Sequence, residues 1–294
     1  MADPAQMRAW SRRERAAGRR IGFVPTMGYL HEGHLHLVDR ARARADVVVL
    51  SAFVNPLQFG PGEDFERYPR DAARDRALAK GSAVDCFFAP PLETMYPAAP
   101  AIRFAPGPLV AHLCGPRRPG HFEGVLLVVA KLFHLVEPDV AVFGRKDAQQ
   151  AILVTRMTAE LDFPVTIDVA PIVREPDGLA KSSRNVYLQP AERRAAAVLS
   201  DALEGAHLAF DRGAREAAAL TQKVRDTVAG QPLVTLEYVE AVDPRSLQPV
   251  VAASADTILA LAARVGPARL IDNVVLGQGL SADVRLPADS VAPA

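Results

Sequence analysis

Cysteine, lysine, net charge and long apolar runs are scarce or missing in this sequence, and each shortage excludes something. The 294 residues hold two cysteines, Cys86 and Cys114, and neither lies in a CxxC pair. That is no disulfide framework, and it fits a reducing, cytoplasmic setting. Lys+Arg and Asp+Glu both number 34, so the formal charge is zero. No bulk field exists to gather nucleic acid or an anionic membrane, although local basic clusters can still hold phosphates. Apolar runs such as Val47–Val54 and Val125–Ala130 fall far short of the roughly 20 residues a membrane helix needs. Three motifs are also missing: the GxxxxGK[ST] phosphate loop, the GxGxxG dinucleotide fingerprint and the GxSxG nucleophile elbow. Only Lys80, Lys131, Lys146, Lys181 and Lys223 supply lysine among 34 basic residues. Where lysine persists, either drift or a need for a compact ammonium explains it.

What remains is an ordinary globular composition, 49% hydrophobic and 23% charged, of about two domains' length. The Arg-rich start carries Asp3 and Glu14 and reads as an exposed first helix; no secretory h-region is present. Up to about Val186 apolar runs alternate with helical stretches, the pattern of parallel βαβ units. Strands are expected at Ile21–Pro25, Val47–Val54, Val84–Ala89, Val140–Phe143 and Val165–Val173. Helices are expected at His34–Ala45, Asp71–Lys80, Gly124–Val136 and Asp147–Leu161. Between them, Pro90–Gly120 reads as a long loop region. After Leu188 the texture becomes Ala- and Arg-rich helix to about Ala229. Strand-like runs follow at Val234–Val242, Thr257–Ala263 and Arg269–Val275. The fold class is α/β, with one domain over 1–185, a smaller α+β domain over 186–294, and a loose tail of about ten residues ending at Ala294.

Three clusters carry chemistry. Pro25 to His34, PTMGYLHEGH, follows the first strand and opens a helix, at the carboxyl end of a parallel strand where α/β sheets bind ligands. Gly28 and Gly33 allow close backbone approach, and the helix start offers N–H groups to an anion. His31 and His34 can donate to phosphate oxygens; they can equally be exposed polar residues. With His36 they can be considered for zinc, but HEGH is not the HExxH spacing. Gly144-Arg145-Lys146-Asp147-Ala148-Gln149-Gln150 also follows a strand, and cations opening a helix point to an anionic ligand. Asp177 to Asn185, DGLAKSSRN, offers hydroxyls, two cations and a glycine turn, either a phosphate clamp or a polar linker.

Taken together these clusters resemble the adenylate-forming nucleotidyltransferase group. VPTMGYLHEGH, SAFVNPLQFG, the tyrosine of RYPRD, RPGHFEGV, FGRKDAQQ, DGLAKSSRN and ARLIDN are similar, over nearly the whole chain, to the pantoate–β-alanine ligase family. The resemblance implies a Rossmann-like parallel-sheet nucleotidyltransferase domain plus a smaller C-terminal domain, usually dimeric. It implies condensation of (R)-pantoate with β-alanine, ATP going to AMP and pyrophosphate through a pantoyl adenylate, with magnesium. Matched residue by residue, Met27, Gly28, Tyr29, Leu30, His31, Glu32, Gly33 and His34 would cradle ATP, His34 being the proton-donor position. Gly144, Arg145, Lys146 and Asp147 form the second ATP segment, with Lys146 near the α-phosphate. Lys181, Ser182, Ser183 and Arg184 match the phosphate loop, and Val173 lies against adenine. Gln58 and Gln150 match the pantoate glutamines, Gln58 also bordering β-alanine. Met27, Phe59, Val129, Asn55 and Tyr68 would line that pocket, and Asp75 matches a magnesium-linked position. The family usually has Glu at Arg145, an apolar residue at Lys181, an aromatic at Ala148 and often an acid at Arg74. Two other readings stay open here: a relative that stops at nucleotide transfer, and a nucleotide-binding protein without activity.

Overall fold

Continuous burial of Val47–Ser51 and of Ile21–Val24 requires a sheet covered on both faces, and a parallel one supplies it. In the computed structural model, which describes residues 1–287, five strands form that sheet. They are β1 (Ile21–Thr26), β2 (Val47–Ala52), β3 (Cys86–Phe88), β4 (Val140–Gly144) and β5 (Thr166–Ala170), all parallel, in the order β3-β2-β1-β4-β5. Between them run α1 (Pro4–Ala16, ahead of the sheet), α2 (Glu32–Arg42), α3 (Ala72–Gly81), the single turn α4 (Leu92–Met95), α5 (His121–Val136) and α6 (Ala148–Glu160). The chain builds outward from β1 through β2 to β3, then returns to lay β4 on the other side of β1. The strand order therefore reverses between β1 and β4, the switch point at which open α/β sheets hold ligands. Helix α2 packs tightly on β1: a Cβ on Gly22 would stand 3.1 Å from the side chain of Ala45 and 3.2 Å from that of Ala41.

The chain separates into two compact units. The first comprises Met1–Pro106, Arg118–Arg145 and Gln150–Ala170. The second comprises Gly107–Arg117, Lys146–Gln149 and the chain from Pro171 on. Its core is an antiparallel sheet packed on helices. Following the short parallel strand β6 (Val173–Arg174) and α7 (Pro190–Ala195), α8 (Val198–Asp211) and α9 (Ala217–Ala229) precede β7 (Val234–Val242), β8 (Ile258–Val265) and β9 (Ala268–Val275). Leu199, Leu203 and Val224 of the helices pack with Leu259, Leu261 and Leu270 of the sheet. A last strand, β10 (Val284–Arg285), pairs in parallel with β6.

Four expectations need correction. Val165–Val173 is not one strand: β5 stops at Ala170, Pro171 brings no N–H to a ladder, and the Ile172 N–H goes to Asp283. Val173 thus belongs to a second sheet, beside Val284. For the same reason the division falls at Ala170–Pro171, and 171–185, expected with the first domain, packs with the second. The tail expected to be loose starts near Arg285, which is a strand residue; 288–294 lies outside the described residues. The first helix is also less exposed than expected, since Met7, Ser11 and Glu14 are buried. Pro90–Gly120 carries α4 and two short 3₁₀ turns, at Gly107–Val110 and Gly115–Arg117.

Candidate active site

The turn after β1 is held from both sides. Thr26 Oγ1 donates to the Ser51 carbonyl at 2.7 Å and accepts from the Gly28 N–H at 3.0 Å. Gly28 (φ 82°) and Tyr29 (φ 51°) then take left-handed conformations, which aims two successive amides at Asp75 on α3. Its two oxygens accept from Tyr29 N at 2.8 Å and Leu30 N at 2.7 Å. A Cβ at position 28 would sit 2.9 Å from Asp75 Oδ2, so glycine is required twice over. Arg74, one residue earlier, donates to the Leu30 carbonyl at 2.8 Å and lies over the Tyr29 ring. Asp75, matched by resemblance to magnesium, is 3% exposed with both oxygens committed to backbone amides. Its observed role is to clamp the turn.

The two motif histidines cap α2. His31 Nδ1 accepts from the Gly33 N–H at 3.1 Å, and His34 Nδ1 accepts from the His31 N–H at 3.2 Å. This is a capping box built from imidazoles. The rings stack with centroids 4.0 Å apart. An Nδ1 that accepts must be bare, so each neutral ring carries its proton on Nε2 and can donate from there. His36 behaves differently: its Nε2 is buried with no hydrogen-bond partner. Burial, then Arg40, pulls its pKa below the usual 6.5.

Gln58 is set by a buried relay. The Asn55 amide donates to Gln58 Oε1 at 3.2 Å and to the Gly124 carbonyl at 3.0 Å. Asn55 Oδ1 accepts from the Tyr96 hydroxyl at 3.1 Å and from Leu57 N at 3.3 Å. Asn55 is 1% exposed, so it orients Gln58 and does not line an open pocket. With Oε1 engaged, Gln58 Nε2 donates to Met27 Sδ at 2.8 Å, a weak acceptor that a ligand oxygen can replace. The Gln58 backbone is fixed by α5: a Cβ on Gly124 would strike the Leu57 carbonyl at 2.2 Å. Phe59 stacks edge-on with Tyr68, centroids 6.0 Å apart. Val129 is buried within α5 and Gln150 half-buried in the first turn of α6.

Sequence reasoning missed one group. His121 donates from Nδ1 to the Gln58 carbonyl at 2.7 Å, leaving Nε2 to accept from Arg118 at 2.9 Å. Arg118 also grips Glu63 through two hydrogen bonds of 2.7 and 2.6 Å. Burial alone would raise the Glu63 carboxyl; the Arg118 hydrogen bonds and charge, with the Gly60 amide, hold it below the usual range. The signal was present in RPGHFEGV, where Arg118 and His121 stand three apart.

The second unit carries the other expected segments. Lys146 and Asp147 lie in a 3₁₀ turn, their charges 3.7 Å apart. Gln149 accepts from Cys114 N and donates to the Leu109 and His112 carbonyls, all at 3.0 Å. After β6 the chain reverses at Gly178 (φ 95°), and Arg174 bridges back to Ala180. This places Lys181 Nζ 3.0 Å from Glu175 Oε1. Arg193 holds Asp177 through two hydrogen bonds of 2.6 and 3.1 Å, which outweigh burial and keep that carboxyl below its usual range. Ser182 Oγ accepts from Arg184 N at 3.3 Å and so starts the turn containing Ser183 and Arg184.

A doubly covered parallel sheet with a switch point, and a histidine-capped turn at that point, make the place where an open α/β sheet holds a ligand. The comparisons with known proteins narrow this. The family model described as pantoate-beta-alanine ligase matches residues 1–275. Pantothenate synthetase from Heliobacterium modesticaldum is 54% identical over 271 residues, covering 92% of this chain and 96% of its own. That from Pelotomaculum thermopropionicum is 53% identical over 274 residues, covering 93% and 97%. The crystal structure of pantothenate synthetase from Thermus thermophilus superposes with a TM-score of 0.89 at 48% identity, over 94% of this chain and 98% of its own. Pantoate-beta-alanine ligase from Francisella tularensis, complexed with beta-gamma ATP and beta-alanine, gives 0.77 at 31% identity, over 95% and 98%. The chain belongs to the pantoate–β-alanine ligase family and is a ligase.

Proposed function

We propose that this enzyme condenses (R)-pantoate with β-alanine to (R)-pantothenate, converting ATP to AMP and pyrophosphate through a pantoyl adenylate. The carrying observation is the pair of Nδ1-capped histidines after β1, whose tautomer the capping box sets on a turn fixed by Asp75. A carboxylate attacking a phosphate brings two anions together, so the barrier falls most where positive charge and N–H dipoles face the developing charge. His31, His34, Lys146 and Arg184 are assigned that task, with His34 donating a proton as pyrophosphate leaves. Met27–His34, Gly144–Asp147 and Lys181–Arg184 are assigned to ATP, with Val173 against adenine.

In the second step the β-alanine amine attacks the acyl carbon and AMP departs. Proximity carries this step and no protein nucleophile is needed. Gln58 and Gln150 are assigned to pantoate, Gln58 as an N–H donor because its Oε1 is already engaged. Gln58 also borders β-alanine, and Met27, Phe59, Val129 and Tyr68 supply apolar and aromatic wall. Magnesium would accompany the ATP phosphates and supply charge neutralisation there. A cytoplasmic homodimer completes the reading; sedimentation at twice the 31.6 kDa of one chain is the result expected of the dimer, and sedimentation at 31.6 kDa would overturn it.

The test uses pantoate labelled with ¹⁸O in its carboxylate, with ATP, magnesium and β-alanine. An adenylate passes one labelled oxygen to AMP. Release of ADP with label in inorganic phosphate would instead establish an acyl phosphate and end the adenylate reading.

A further inference from the structure

Arg174 is 1% exposed, yet all five of its N–H bonds find acceptors. Nε donates to Asp283 at 2.7 Å. Nη1 donates to Asp272 at 2.7 Å and to the Gly178 carbonyl at 3.0 Å. Nη2 donates to Asp272 at 3.0 Å and to the Asn273 carbonyl at 3.5 Å. Asn273 N donates to Asp272 Oδ1 at 2.8 Å, so the residue is fixed at both its amide and its carbonyl. Its side chain then reaches out of β9, and Nδ2 donates to the carbonyl of Lys146 at 3.1 Å.

Replacing such a network by apolar residues is often neutral for stability, so stability alone does not account for it. A second role is visible in what it touches. Gly178 is the apex of the reversal that leads into Lys181–Arg184, and Lys146 is the other cation-bearing segment assigned to ATP. One guanidinium thus ties the backbone of the first, and, through Asp272 and Asn273, that of the second. Lys146 has a long flexible stem, and its Nζ lies 3.7 Å from Asp147. Where its ammonium falls depends on where its backbone is held.

We propose that Asn273 is a positioning residue for Lys146, with Arg174 and Asp272 fixing Asn273 in turn. The inference rests on the assignment of Lys146 to ATP made above. Misplacement of a charged group by about an ångström lowers turnover by up to roughly 100-fold. The test is a double-mutant cycle read as AMP release. Asn273→Ala lowers kcat about 10- to 100-fold in the wild-type background and within about twofold in Lys146→Ala, while KM for β-alanine stays unchanged. Val224→Ala, a core change on α9, lowers the thermal midpoint and keeps kcat. Asn273→Ser is carried in parallel, and the variant scored is the one whose midpoint falls no further than that of Val224→Ala. Equal losses in both backgrounds, or an unchanged kcat in the wild-type background, overturn the positioning role alone. A wild type that yields no AMP and pantothenate overturns the functional reading and this inference with it.

Discussion

The Met27–His34 turn and the Lys181–Arg184 loop are both assigned to phosphates, yet they are held by different forces. The first is fixed by backbone N–H groups that donate to the side chains of Thr26, Asp75, His31 and His34. The second is flanked by ion pairs, Glu175–Lys181 and Asp177–Arg193. Hydrogen bonds to backbone amides set a shape before ligand arrives. Ion pairs keep cations in place but can be traded for another anion. The first region is therefore expected to keep its shape, and the second to exchange partners when an anion binds.

Breaking the first region has the largest expected effect. Asp75→Ala strands two amides, at about 1–3 kcal/mol each, and lowers turnover about 100-fold. The loss, measured as kcat, should be the same at low and high salt; a strongly salt-dependent loss would place Asp75 among the ion pairs. Next, Lys181→Met leaves the Glu175 carboxylate without its partner and costs about 1–2 kcal/mol in denaturant titration. Adding Glu175→Gln should restore most of it. If the double variant is no better than the single, the pair is not what holds the loop. His31→Ala removes one cap of α2 and should cost about 1 kcal/mol.

The smallest effect separates the regions by pH. The folded pKa of His36 is lowered below 6.5, so stability is full above 6.5 and declines as pH falls through that value toward the folded one. Asp177 is lowered below 3.8, so its contribution is full above 3.8 and is lost as pH falls through its folded value. Amide exchange should therefore rise near α2 before it rises around Gly178. His36→Gln should remove the first step only.

Much of this was legible beforehand, because strand-end motifs and buried β-branched runs are local. The alternation up to Leu161, the turn of HEGH and the three strands of the second unit follow from residues adjacent in sequence. What was not legible depends on distant partners. Asp75 lies 46 positions from Tyr29, and nothing in its neighbourhood announces two amides waiting for it. Pro171 was visible, but apolar continuity across it hid the change of sheet. The pairing of Lys181 with Glu175 was not legible either, because the two come alongside only through the reversal at Gly178.

The second unit borrows Gly107–Arg117 and Lys146–Gln149 from within the span of the first, and this bears on the order of synthesis. The borrowed pieces leave the ribosome early but bond to residues made late: Arg117 to the Glu237 carbonyl, Leu113 to Glu240, Lys146 to Asn273. Domains usually fold as they emerge. Here the nascent chain must carry two unfinished stretches until β9 appears, and Lys146 gains its Asn273 bond only after that strand is made. Chains stalled before Asn273 should be cut by protease within Gly107–Arg117, whereas finished chains should resist.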